Sequence, residues 1–226
     1  MKKIFKKEMI KTWVATVIAI VVAVVGILIM PDTIPTHFGP SGEPDAWGSK
    51  FTVLLYPAIL VVVNVLAVPM IKLDPKQENY GRFSKYYYNF FFGFSLFFVA
   101  TEAANIAIAL GAPINVGTII CLATGVLMVF MGNMMPKIKQ NFFFGIKTPW
   151  TLSDEENWYK THRIGGKTFV IGGIMIMTTA FIPGEGKIAG FLVAIFIMIL
   201  IPFAYSYLLF KNKNKKNNYQ NLPKDF

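Results

Sequence analysis

Cysteine is almost absent. Cys121 is the only one in the chain, so an intramolecular disulfide is impossible and a metal site built on clustered thiolates is excluded. Its place inside an apolar run reads as a small packing residue. Charge is thin as well: Asp, Glu, Lys and Arg together make up 15% of the 226 residues, while 54% are hydrophobic and the mean hydropathy is +0.52. That balance is too apolar for an ordinary soluble domain. Acidic residues are the scarcer sign, 12 against 22 Lys and Arg, for a formal net charge of +10. In so apolar a chain the basic excess sets membrane topology, and direct nucleic-acid binding is not expected. There is no Walker-type phosphate cradle, and the first apolar run has no small-x-small cleavage pattern at its end, so it reads as a retained anchor.

What is present is a series of long apolar runs: Thr12–Met30, Phe51–Ile71, Asn89–Leu110, Ile114–Met135, Thr168–Ile182 and Ile188–Phe210. A bilayer core takes about 20 helical residues. The sequence therefore predicts an all-α integral membrane protein of six transmembrane helices, the fifth short and interrupted by Gly172-Gly173. Of the Lys and Arg residues, twenty fall before the first run, after even-numbered runs or in the tail, against Lys50 and Lys187 on the other side. The positive-inside rule then puts both termini in the cytoplasm. Three segments follow: a two-span unit over residues 1–71 with an outer loop at 31–50, a four-span unit over 72–210 with a cytoplasmic loop at 132–167, and a basic, Asn-rich tail over 211–226. The tail is expected to be disordered and to touch anionic membrane lipid.

The outer stretch, PDTIPTHFGPSGEPDAWGSK from Pro31 to Lys50, is punctuated by Gly39, Pro40, Gly42, Pro44 and Gly48. It predicts a compact turn structure rather than a helix, with Trp47 at the headgroup level. His37, Glu43 and Asp45 are three metal-capable donors, but their irregular spacing without Cys or a second His favours loop hydrogen bonding, and no metal site is assigned. His37 and His162 lie on opposite sides of a hydrocarbon core about 30 Å thick, so they cannot form one catalytic pair. No nucleophile–His–acid set is convincing on either side. Within the third run, Glu102 has Thr101 beside it and Asn105 one turn on. An ionisable side chain at mid-membrane costs roughly 3 kcal/mol on insertion scales. It should face the bundle interior, as a relay or bonded to Asn64, Asn133 or a hydroxyl. Phe90, Phe91, Phe92, Phe94, Phe97 and Phe98 read as packing bulk, not a cofactor box, and no cofactor is assigned.

The polar stretch from Gly132 to Gly166 is different in kind. Ser153 followed by Glu156 is a capping-box pattern, predicting a short cytoplasmic helix from Ser153 that Gly165-Gly166 would end. Asp154, Glu155 and Glu156 suit its first turn, and Lys160 and Arg163 its last. Trp158 and His162 are spaced to share a face, which docks on the membrane or on its own loop, or else grips a ligand. Ahead of it Pro149 holds Thr148 extended.

The series Gly132-Asn133, Pro136-Lys137, Asn141, Gly145-Ile146-Lys147-Thr148-Pro149-Trp150-Thr151-Leu152-Ser153, Trp158, Thr161-His162-Arg163 and Gly165-Gly166 closely resembles the signature of the SdpI family of bacterial membrane proteins. The outer stretch from Ile34 to Lys50 resembles the uncharacterised N-terminal domain that often precedes it. The resemblance implies a plasma-membrane immunity protein that protects a producer cell from its own secreted killing peptide. For the family's namesake it further implies a receptor that holds a soluble repressor at the membrane. On that reading the partners are the toxin peptide and a cytoplasmic repressor. The candidate binding residues are Asn141, Gly145, Thr148, Pro149, Trp150, Trp158, His162 and Arg163 inside, and His37, Glu43, Asp45, Trp47 and Lys50 outside. Two rival readings remain open, a proton-coupled exporter working through Glu102 and a membrane enzyme centred on a histidine.

Overall fold

A computed structural model describes residues 2–39, 42–184 and 186–220. Among the described residues five helices are long and apolar enough to cross a membrane: Met9–Ile29, Lys50–Leu73, Gln77–Ala109, Val116–Lys137 and Gly186–Lys216. They are built on α1 (Lys2–Ile29), α2 (Leu55–Leu73, after a 3-10 turn at Lys50–Leu54), α3 (Tyr80–Ala109, after a 3-10 turn at Gln77–Asn79), α4 (Val116–Met134, continued by a 3-10 turn at Met135–Lys137) and α7 (Gly186–Gln220). Between α4 and α7 come a five-residue helix, α5 (Pro149–Ser153), and α6 (Glu155–Thr179). This is a multi-pass membrane protein, as its composition requires.

The expected fifth span and the expected short polar helix are one helix. α6 is too polar in its first half to count as a span by composition, yet it runs the height of the bundle, antiparallel to α4 and against α7. Gly165 and Gly166 do not end it. Ending a helix at glycine uses a left-handed residue, and the glycines with positive φ among the described residues are Gly42, Gly111, Gly145 and Gly184. Instead Gly166 meets Gly132 of α4, where a Cβ on either would lie 2.7 Å from the other's carbonyl oxygen, and one turn pair away Gly173 meets Gly125 in the same way. In lipid, apolar burial does not drive helices together, and small residues that let backbones close up do.

The same logic builds the first half. On α1, Thr12, Ala15, Thr16, Ala19 and Ala23 are at most 2% exposed, while Val14, Val17 and Val21 on the other face are more than half exposed. Asn64 of α2 donates to Thr16 Oγ1 at 2.7 Å, and the Tyr87 hydroxyl of α3 donates to the Ala67 carbonyl at 2.8 Å. Between α1 and α2 the outer stretch forms a β-hairpin, β1 (Thr33–Phe38) paired antiparallel with β2 (Pro44–Ser49). Its Ile34 side chain is buried against Met30, Val53 and Ile106, which seats the hairpin on the bundle end.

Two further expectations are corrected. Ser153 is not the cap of a helix: it closes α5, and its hydroxyl donates back to the Trp150 carbonyl. Asp154 caps α6 by accepting from the Glu156 amide at 3.2 Å, and the reciprocal box belongs to Thr148 and Thr151 at the start of α5. The basic tail, expected to be disordered, continues α7 as helix to Gln220, with Lys213 paired to Asp154 at 2.9 Å; residues 221–226 lie outside the described residues.

Candidate functional site

The helices alternate, so the chain makes two functional ends: one carrying the Gly132–Gly166 motif, the other the hairpin. At the motif end, Pro149 leaves Thr148 extended at φ −118°, ψ 161°, and Thr148 becomes the cap of α5. Thr151 is fully buried, its hydroxyl donating to the Ile146 and Thr148 carbonyls at 3.0 and 3.1 Å. Thr148 also lies 3.2 Å from the Ser206 hydroxyl of α7, and Asn157 donates to the Ser206 carbonyl at 2.8 Å. Trp150 packs its ring against Phe203, Tyr207 and Phe210 of α7.

Trp158 and His162 do share one face of α6, stacked at 4.0 Å, and both are 1% exposed. Every ring nitrogen is occupied. Trp158 Nε1 donates to the Ile138 carbonyl at 3.0 Å, and the Ile146 amide donates to His162 Nε2 at 3.0 Å. Since Nε2 accepts, Nδ1 carries the proton and donates to the Trp158 carbonyl at 2.8 Å. Burial pushes the His162 pKa down to about 4, so the imidazole is neutral. Gly145, at φ +114°, passes over this pair where a Cβ would strike Nε2. Asn141 is consumed similarly: its oxygen accepts from the Phe143 and Phe144 amides at 3.0 and 2.6 Å, and its nitrogen donates to the Lys139 and Phe144 carbonyls.

The motif loop is thereby a latch. It is fastened to the α2–α3 turn by residues that carried no signal of their own. Asp74 accepts from the Tyr80 hydroxyl and the Phe142 amide at 2.8 and 2.9 Å. Gln140 donates to the Thr151 and Leu152 carbonyls and accepts from Lys76. A polar Asp-Pro-Lys turn and a Gln-Asn pair just ahead of three Phe residues were the available clues. The residues this end leaves exposed include Pro149, Glu155, Glu156, Tyr159, Lys160 and Arg163, with Lys160 paired to Glu156 at 2.7 Å and the Arg163 guanidinium over the Tyr159 ring.

At the other end His37 and Asp45 face each other across the hairpin at 2.5 Å, both well exposed, and Lys50 pairs with Asp32 at 3.0 Å. Glu43 and Trp47 are exposed. Among the described residues no three His, Cys, Asp or Glu side chains converge. Beneath the hairpin lies a cavity of about 600 Å³, lined by Phe38, Tyr56, Asn105, Ile120, Lys187 and Phe191 among others. Glu102 is one residue from the cavity wall at Thr101 but does not line it, and it is 0% exposed, with neither carboxyl oxygen hydrogen-bonded among the described residues. The partners expected for it bond elsewhere, Asn64 to α1 and Asn133 to the Val129 carbonyl. The Tyr56 phenol is within electrostatic range.

Comparison with known proteins finds two families in chain order. Residues 14–61 match a domain of unknown function (DUF1648), and residues 137–206 match the SdpI/YfhL protein family. The chain is similar to a Bacillus subtilis (strain 168) protein named immunity protein SdpI, at 27% identity over 186 residues, which is 82% of this chain and 87% of that protein. A shorter likeness, 41% identity over 44 residues, joins 20% of this chain to 24% of an uncharacterized protein of Archaeoglobus fulgidus. No solved structure matches at a significant level.

Proposed function

We propose that the chain, whose residues 137–206 match the SdpI/YfhL protein family, is a membrane immunity protein of that family, protecting the cell that carries it from a secreted killing peptide. The likeness to the Bacillus subtilis immunity protein along 82% of the chain carries this reading. With both termini and the latch in the cytoplasm and the hairpin outside, as the distribution of Lys and Arg favours, a secreted peptide meets the hairpin end first. The latch then serves to hold α2, α3, α6 and α7 in one arrangement. A ligand bound at the hairpin end can signal only if it favours one arrangement of these helices over another. A cytoplasmic repressor would meet the exposed rim of Pro149, Tyr159 and Arg163 rather than the sealed Trp158 and His162.

Expression in Bacillus subtilis lacking its own immunity protein, grown beside a toxin-producing strain, tests the reading. Survival well above that of cells with an empty vector is expected, and survival equal to it would reject immunity. For the repressor surface, a Tyr159→Ala, Arg163→Ala double variant should keep survival and lose co-purification of a soluble partner. A second reading, proton-coupled export of the peptide, is favoured by one observation, the buried Glu102 carboxyl without a hydrogen-bond partner. Under export Glu102→Gln abolishes protection; under binding alone it leaves protection in place.

A further inference from the structure

The cavity under the hairpin draws its walls from across the chain: the hairpin and Tyr56 from the segment matching the first family, Lys187 and Phe191 from the segment matching the second, with α3 and α4 between. Its volume of about 600 Å³ lies within the range of roughly 300–1,000 Å³ typical of ligand sites, and its lining is apolar with a few polar groups. Two of those groups are underused. The Lys187 ammonium has three donors but bonds only to neutral oxygens, Asn115 Oδ1 at 3.3 Å and Thr118 Oγ1 at 3.2 Å. Among the described residues no carboxylate pairs with it, whereas Lys50 at the same end has Asp32. The Asn105 amide, on the wall between α3 and the hairpin, has no hydrogen-bond partner among the described residues. An unmatched cation and an unmatched amide beside Tyr56, Ile120 and Phe191 are complementary to an apolar chain segment that ends in, or carries, an anion.

We propose that this cavity is the toxin-binding site, and that it takes an apolar peptide segment bearing a carboxylate. The carboxylate sits on Lys187, a peptide group bonds Asn105, and the apolar side chains lie between Tyr56 and Phe191. This deepens the immunity reading and rests on it. Ala104 lines the same cavity, so a larger side chain there fills the space while leaving the Lys187 charge in place.

The test uses the full chain in phosphatidylcholine nanodiscs, with the killing peptide purified from the medium of producing Bacillus subtilis as the probe. The same peptide with its carboxyl groups methyl-esterified is the second probe. Binding to the parent should weaken roughly ten- to a hundredfold in Lys187→Gln, the range for losing one charge-assisted bond, and further in Lys187→Glu. Esterification should weaken binding to the parent by a similar factor and leave binding to Lys187→Gln nearly unchanged. Ala104→Phe should weaken both probes alike. Equal binding of both probes to the parent, or unchanged affinity in the Lys187 variants at parental thermal stability, would overturn the proposal. So would displacement of the peptide from the parent by added phosphatidylglycerol with no effect of esterification, which would make this a lipid-headgroup site. If the parent protects cells and Lys187→Glu and Ala104→Phe protect equally, the site is wrong and the immunity reading stands. If the parent neither protects nor binds, both are rejected.

Discussion

Acidification should loosen the latch through His162 in a window that can be specified in advance. In the folded chain Nε2 accepts the Ile146 amide proton and Nδ1 already donates to the Trp158 carbonyl. A second proton on the ring would therefore set one N–H against another inside a site that is 1% exposed. Burial holds the folded pKa at about 4, against an ordinary 6.5. As pH falls through 6.5 the unfolded imidazole takes up a proton that the folded one refuses, so the unfolded state gains and stability falls. The loss grows until about pH 4, below which both forms are protonated and no more is lost. Two and a half units at about 1.4 kcal/mol each give a maximum near 3 kcal/mol. The assay is the thermal midpoint of detergent-solubilised protein between pH 7.5 and 4, followed by Trp fluorescence, for the parent and for His162→Gln. Glutamine offers an acceptor for the Ile146 amide and does not titrate. Carboxylates and His37 are common to both proteins and cancel in the difference. The gap between the two should narrow or reverse as pH falls from 6.5 toward 4. A gap independent of pH would refute the tautomer and the role given to burial.

Other substitutions probe the remaining contacts. Gly145→Ala meets a positive φ and the His162 ring together, and should cost about 2–4 kcal/mol from backbone strain plus the disturbed Ile146 bond; a loss under about 0.5 kcal/mol in denaturant unfolding would contradict the packing described. Gly132→Ala forces a Cβ to within 2.7 Å of the Gly166 carbonyl and should cost about 1–3 kcal/mol as overpacking, while Ala at exposed Gly184 costs only its positive-φ strain. Glu102→Leu should raise stability by about 1–3 kcal/mol, because the carboxyl it removes is buried without a partner; destabilisation would show that the carboxyl is satisfied. Asp74→Ala leaves the Phe142 amide without its acceptor and the Tyr80 hydroxyl with only Asn141 Oδ1 at 3.3 Å, and should free the motif loop, seen as faster amide exchange at residues 140–148.

Composition and periodicity alone made this chain a multi-pass helical membrane protein, because lipid admits few alternatives for an apolar backbone. They also marked the Gly132–Gly166 stretch as exceptional and Thr148 as extended, since both follow from local chemistry. What they left undecided depends on neighbours distant in sequence. A Gly-Gly pair ends a helix when water must cover its carbonyls, but it continues one when another glycine helix lies against it, as Gly132 does against Gly166. Ser153 and Asp154 are both good caps, and only the packing of α5 on α7 through Trp150 selects Asp154. Trp158 and His162 share a face by spacing alone, yet whether that face meets solvent or the protein was fixed by Gly145 and Ile146 folding back over it. The cavity beneath the hairpin is tertiary altogether: its walls come from residues 36 to 191, and no local pattern announces a lysine with which no carboxylate pairs among the described residues.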